Sequence, residues 1–356
     1  MGTVTGSNAK VRRRLTLAIA LILCAASGVA QQTAAGSEST SIFAPTSTPA
    51  TAIYRLSLFV LAVTGTIFVI VFGMLVYAAV KFRGRPGDER REPLQIYGSD
   101  QLELAWTVIP VLIVIVLFMT SARVIHAVQD ARRPPGSIEV TVIGHQFWWE
   151  FRYPQYGFVT ANELHIPVSD PAHPTPTFLE LLSADTDHSF WIPRLAGKTD
   201  LIPNHPNSTW IDPHEAGLFL GQCAQYCGTQ HAKMLLRAYV EPRSDFDRWV
   251  SEQQRAPAAD APLSPEAEAG RRVFNSTACI NCHSISRTPA TGRFGPDLTH
   301  LMSRQTLASG VIPNSAGALK VWIQDPAAIK PGALMPAMNL TGKDLNAVTA
   351  YLLTLR

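Results

Sequence analysis

Two long stretches without a charged side chain constrain this chain more than any other feature. Leu56 to Val80 runs 25 residues without Asp, Glu, Lys or Arg, and Leu104 to Ala122 repeats the pattern. As a helix the first run reaches roughly 37 Å, enough to cross a hydrocarbon core of about 30 Å with some tilt. Pro110 lies inside the second run. Proline is costly in a soluble helix and tolerated in a membrane, where neighbouring groups satisfy the freed carbonyl. Between the runs, Lys81 to Arg91 carries five basic residues, which places this short loop in the cytoplasm and everything after the second run outside.

The segment before the first run is of a different kind. Lys10 and Arg12 to Arg14 precede the apolar stretch Leu15 to Ala30, which ends Ser27-Gly-Val-Ala30. That is the pattern of a secretory signal cleaved after Ala30. A lipoprotein anchor on Cys24 would want a small residue where Leu23 stands, and an uncleaved anchor is the other alternative. Gln31 to Ala52, rich in Ser, Thr, Ala and Pro, reads as a linker. The expected division is signal peptide 1–30, linker 31–52, membrane hairpin 53–128, β domain 134–243, short helix and linker 244–264, and helical domain 265–356.

Beyond Pro134 the period changes to that of strands: 138–143, 147–151, 163–168 and 178–183, separated by Gly and Pro. Short runs so spaced predict an antiparallel sandwich or barrel. Ser244 to Gln254 predicts a helix capped by Ser244, with Asp247 at the capping-box position. Arg255 to Pro265 is an Ala/Pro linker, and the last ninety or so residues read as short helices and Pro/Gly loops. Charge is unevenly shared. Residues 134–260 hold 8 basic and 15 acidic side chains, a balance of −7, whereas 262–356 hold 9 and 5, a balance of +4. The two parts are expected to attract. With 16% charged and 47% hydrophobic residues overall, the chain is too apolar for a disordered or nucleic-acid-coating protein.

Five cysteines exclude a simple disulfide framework. Cys279-Ile-Asn-Cys282-His283 is a C-x-x-C-H segment, the pattern for covalent attachment of a c-type haem, with the histidine on one face of the iron. A high potential asks for a soft neutral ligand on the other face. Met335, in Pro331-Gly-Ala-Leu-Met335-Pro336, is the choice, with Met338 and Met302 as alternatives. A thioredoxin-like redox pair would need a βαβ context, and a zinc site a second ligand pair, and neither is present.

Cys223-Ala-Gln-Tyr-Cys227-Gly-Thr-Gln-His231-Ala-Lys-Met234 puts two thiols, an imidazole and a thioether within twelve residues. Soft sulfur ligands with histidine favour copper in electron transfer. A mononuclear blue site needs one cysteine; two cysteines four apart, with His188 upstream, can bridge two copper ions. Zinc on Cys223, Cys227, His231 and His188 would leave Met234 without a purpose.

With these residues in view, the chain resembles subunit II of haem-copper cytochrome c oxidases, in the caa-type form that carries a fused cytochrome c, from the first membrane helix to the end. The resemblance implies a cupredoxin Greek-key sandwich and an all-α class I cytochrome c domain. It also implies a binuclear CuA centre on His188, Cys223, Cys227, His231, Met234 and the backbone carbonyl of Gln225. His188-Ser-Phe-Trp-Ile-Pro193 and Lys198 to Pro203 match the family's loops. Glu103-Leu-Ala-Trp-Thr-Val-Ile-Pro110 matches its second helix, where the glutamate lies near a proton-channel entry. In the haem domain, Gly270 to Phe274, Tyr351 and Gly295-Pro-Asp-Leu298 match class I cytochromes c.

Three positions depart from the family. Gln225 stands where a glutamate usually binds a magnesium shared with subunit I, and its neutral amide weighs against that metal. Phe147, in Phe147-Trp148-Trp149, replaces the tryptophan that usually receives electrons from soluble cytochrome c. Asn204 replaces a glycine, which asparagine can do because it tolerates positive φ. The implied function is electron transfer from an external donor, such as cytochrome c, through haem c and CuA to subunit I for oxygen reduction coupled to proton pumping, in a bacterial-type plasma membrane. The oxygen site then lies on another chain, and cutting between Arg255 and Ser264 is expected to slow transfer to copper and make it salt-sensitive. A CuA-type nitric oxide reductase subunit and a free-standing membrane electron carrier remain as alternatives.

Overall fold

A computed structural model describes residues 40–84, 95, 97–129, 133–170, 172–255 and 262–356. The signal peptide, most of the first linker, most of the cytoplasmic loop and the centre of the second linker lie outside the described residues.

The uncharged runs form two long helices, α1 (Thr48–Lys81) and α2 (Asp100–Gln129), both long and apolar enough to cross a membrane. α1 begins inside the stretch expected to be linker, with Pro49 in its first turn, where the missing N–H costs nothing. Both helices are tied to the β domain at their extracytoplasmic ends. Ser47 bridges to Pro213, the Thr48 hydroxyl bonds the Asp212 carboxylate, and the Trp210 indole N–H donates to Val128 O at 2.6 Å.

The β domain contains ten strands in two five-stranded sheets, ordered β3-β2-β1-β5-β8 and β4-β10-β9-β6-β7. They are β1 Ile138–His145, β2 Trp148–Tyr153, β3 Phe158–Ala161, β4 Glu163–Pro167, β5 Thr177–Ser183, β6 His188–Trp191, β7 Thr199–Leu201, β8 Asn207–Ile211, β9 Gly217–Cys223 and β10 Leu235–Glu241. The four expected strands are present, but the domain is not purely antiparallel: β1 pairs in parallel with β5, and β4 with β10. Such pairs require the chain to cross over rather than turn back, and this gives the cupredoxin-like sandwich. Alternating residues fill one core from both sheets, among them Val140, Trp149, Leu179, Leu164, Phe190 and Leu236. The expected αL asparagine is present, with φ 60° at Asn204.

The short helix α3 spans Arg243–Gln253. Its N-cap is Pro242 rather than Ser244, and no side chain caps it; Asp247 instead pairs with Arg243 at 2.9 Å, one turn earlier. The helical domain contains α4 (Pro265–Ser276), α5 (Cys279–Cys282), the two-residue strands β11 (Thr306–Leu307) and β12 (Ile312–Pro313), α6 (Ala316–Gln324), α7 (Pro326–Ile329) and α8 (Gly342–Leu352). Ser264, Ser315, Asp325 and Thr341 cap α4, α6, α7 and α8 through their side chains. α4 crosses α8 at Gly270, where a Cβ would lie 1.8 Å from Ala347 O. The same crossing sets Phe274 edge-on to Tyr351, with ring centroids 5.8 Å apart.

The two extracytoplasmic domains touch, as their opposite net charges led one to expect, but not through close ion pairs. Among the described residues, no ion pair links one to the other. Directed hydrogen bonds make the contact instead. Gln230 Nε2 donates to Pro331 O, Lys233 Nζ to Ile329 O at 3.0 Å, and Ser309 Oγ to Leu235 O at 2.8 Å.

Candidate metal centre and haem pocket

His188 opens β6, Cys223 closes β9, and the loop between β9 and β10 returns with Cys227, His231 and Met234. A strand end and one loop thus bring residues 188 and 223–234 to the same edge of the sandwich. The ligand atoms of His188, Cys223 and Cys227 lie within 4.8 Å of one another, and all three residues are buried. The two sulfurs are 3.9 Å apart, too far for a disulfide. Cys223 Sγ is 3.9 Å from His188 Nδ1 and 3.1 Å from Gln225 O. Cys227 Sγ is 3.7 Å from His231 Nδ1 and 3.8 Å from Met234 Sδ.

The electrostatics of this cluster suit a metal. The Cys227 thiol beside it, more than any other group, holds the Cys223 pKa well below the usual thiol range, against the effect of burial. The resulting thiolate and burial then hold Cys227 well above the usual thiol range, so ionising both sulfurs asks for a cation between them. Burial opposes the charge on His188, but Asp185 and Cys223 outweigh it and raise its pKa. Asp185 Oδ1 accepts from His188 Nε2 at 2.8 Å, which leaves Nδ1 turned toward the sulfurs. Gln146 Nε2 donates to Cys227 O at 2.6 Å. Asp185 and Gln146 were absent from the sequence-based ligand set. The aspartate three residues before a ligand histidine is a signal that could have revealed one of them.

The second centre is an apolar cavity in the helical domain. Cys279, Cys282 and His283 line one part of it, Met335 and Met338 another, and Phe294 and Trp322 contribute aromatic faces. His283 Nδ1 hydrogen-bonds Pro296 O at 2.7 Å, which fixes the ring and leaves Nε2 for a ligand. Burial pushes the His283 pKa down, toward the neutral form that can ligate iron. Gly295 permits the close approach, since a Cβ there would meet His283 Cε1 at 2.6 Å. Met302 does not line this cavity and packs against the helical core.

The cavity also touches the β domain, through Gln146, Phe147, Trp148 and Asn162. Phe147 belongs to the same core cluster as Cys223 and Cys227, and its ring lies 3.1 Å from where a Cβ on Gly228 would be. Trp149 is fully buried with its ring 6.1 Å from that of His188, and Trp148 stacks on His145 at 4.2 Å. Glu103 lies apart from both centres, in the first turn of α2. The side chain of Gln225 is on the exposed side of the metal loop.

A fold of two membrane helices, a cupredoxin-like sandwich with a cysteine-histidine cluster, and a C-x-x-C-H helical domain defines an electron-transfer subunit of a respiratory oxidase. Family models for the cytochrome c oxidase subunit II transmembrane domain, the cytochrome c oxidase subunit II periplasmic domain and cytochrome c match residues 37–124, 171–239 and 267–356. Cytochrome c oxidase subunit 2 of Alkalihalophilus pseudofirmus is 32% identical over 326 residues, covering 90% of this chain and 92% of its own length. Its counterpart in Bacillus sp. strain PS3 is 34% identical, covering 77% and 80%. The periplasmic domain of subunit II of cytochrome oxidase from Bradyrhizobium japonicum aligns over 35% of this chain and 97% of its own, at 27% identity and TM-score 0.32. The chain belongs to the cytochrome c oxidase subunit II family, with a fused cytochrome c domain. It is the electron-transfer subunit of that oxidoreductase, spanning a bacterial plasma membrane twice with both globular domains outside.

Proposed function

We propose that this chain holds a binuclear copper centre and one covalent haem c, and that it passes electrons from an external cytochrome c or similar donor to subunit I. The copper ligands are His188, Cys223, Cys227, His231, Met234 and the carbonyl of Gln225. The observation that carries this is the cluster of two thiols 3.9 Å apart, each with its own imidazole and a further donor beside it. Two soft sulfurs with two histidines and a thioether fit copper better than zinc, which would leave Met234 without a role. Cys279 and Cys282 take the haem thioethers, His283 ligates iron, and Met335 completes the axial pair. When bound, these groups supply the one-electron carriers.

The protein's own residues do the rest. Asp185 holds His188 in one tautomer, Gln146 holds the Cys227 carbonyl, and burial of Cys223, Cys227 and Met234 keeps water from the sulfurs. Phe147 and Trp148 line the haem cavity from the sandwich side, and the Phe147 ring also lies against Gly228 of the metal loop. Gln225 presents no carboxylate for a magnesium shared with subunit I, and Glu103, in the first turn of α2, is the residue for a proton entry. Purification from the native membrane tests the reading. It expects two copper ions and one haem per polypeptide, with subunit I bound; a single copper would overturn it.

A further inference from the structure

Two buried charged side chains, one from each extracytoplasmic domain, find their partners in the other domain. Glu163 begins β4 of the sandwich and is 2% exposed. Its carboxylate accepts from Gln305 N at 3.0 Å, from Thr306 N at 2.8 Å and from the Thr306 hydroxyl at 2.8 Å. All three donors belong to the helical domain. Arg304 of that domain is also buried, and the charge of Glu163, after that of Asp297, helps to keep it ionised against the effect of burial. In the opposite sense, Lys330 follows α7 of the helical domain and is 3% exposed. Its Nζ, whose pKa burial lowers to about 7, donates to Phe147 O of the sandwich at 2.8 Å and to Ala308 O at 3.4 Å.

A third close approach joins the same two domains. Gly332, at φ 86°, sits where a Cβ would come within 2.9 Å of Thr229 Cγ2 on the metal loop. Gln230 and Lys233 of that loop reach Pro331 O and Ile329 O. The segment gripped is the one that leads into Met335.

If the domains parted, Glu163 and Lys330 would both return to water. While they are together, removing either one leaves dry polar groups without a partner, an arrangement stable only if the contact is closed nearly all the time. We propose that Glu163 and Lys330 are positioning residues that lock the haem domain permanently onto the copper domain, so that the covalent linker is not needed to hold the two centres together. The inference rests on the reading of residues 279–283 as the haem site. It reverses the expectation that cutting the linker slows transfer.

The test uses the complete oxidase, with a protease site placed between Arg255 and Ser264 and cut after purification. The nicked wild type is expected to keep its haem fragment through gel filtration, at an unchanged rate of electron transfer from haem to copper. Glu163→Gln alters only the copper domain and Lys330→Met only the haem domain, so each variant leaves one domain native. Each is expected to weaken retention of the nicked fragment by roughly 10- to 150-fold, the effect of one hydrogen bond to a charged group. The double variant is expected to shed the fragment and lose rapid transfer, while both centres keep their absorption spectra. Loss of the fragment from nicked wild type, or variants that retain it as tightly, would overturn the proposal. A fragment detected by mass but carrying no haem would instead refute the haem assignment.

Discussion

Replacing Gly270 by alanine sets two effects against each other, and the structure decides between them. In the middle of α4, alanine gains about 1 kcal/mol of helix propensity over glycine. The new methyl, however, would sit 1.8 Å from Ala347 O and 2.4 Å from Ala347 C, where ordinary contact begins near 3.4 Å. A backbone carbonyl cannot rotate away as a side chain can, so α4 and α8 must part by more than an ångström. Parting them loosens Phe274, Val348 and Tyr351, which form the centre of the helical core. Overpacking of this kind costs about 3 kcal/mol or more, leaving a net loss of about 2 kcal/mol. For a domain of some ninety residues, that lowers the melting temperature by roughly 8–16 °C. Thermal melting of the full chain, followed at the haem absorption so that only this domain reports, measures the shift. A melting point equal to or above the wild type would show that the helices do not cross this closely.

Two further substitutions probe the centres themselves. Asp185→Asn removes the carboxylate that orients His188, and copper affinity is expected to fall roughly 10- to 100-fold; a competition titration with a copper chelator that finds no change would remove Asp185 from the site. Met335→Leu is expected to abolish the sulfur-to-iron charge-transfer absorption of the haem, whereas Met338→Leu retains it; the opposite pattern would assign the axial role to Met338.

The cysteine-histidine cluster and the C-x-x-C-H segment were legible in the sequence because most of their residues are local; His188 and Met335 lie far from the rest and came from the resemblance and from ligand chemistry. Cys279 to His283 and Cys223 to Met234 each spell a site within a dozen positions, and covalent or metal chemistry tolerates few other spacings. The membrane hairpin was legible for a similar reason, since one solvent imposes one long uniform pattern. The β domain was legible only in part. Strands such as β6 and β7 are too short to show a period, and the parallel pairing of β1 with β5 is a matter of chain path rather than of side-chain alternation. The cap of α3 was misplaced because Ser244 fits the cap pattern, yet Pro242 fixes the turn two residues earlier. That the two domains attract was expected from their charge, but the residues that make the contact could not be read. Glu163 bonds to residues about 140 positions away, and net charge, which the sequence does report, says nothing of which residues meet.

The docked arrangement gives a physical meaning to phenylalanine at position 147. An aromatic that accepts electrons from a soluble protein must stand where that protein can touch it. Phe147 is 8% exposed, its carbonyl is bonded to Lys330, and its side chain lines the haem cavity. Nothing diffusing in solution can make first contact there. The indole N–H that tryptophan would bring could find no water at such a place, and an unpaired buried donor costs about 1–3 kcal/mol. Trp149, two residues on, already has a buried N–H without a partner, so a second would compound the cost. Phenylalanine keeps a ring beside the haem cavity without that cost, whereas the exposed aromatic and aliphatic side chains that line the same cavity, Phe294 and Leu334, belong to the helical domain.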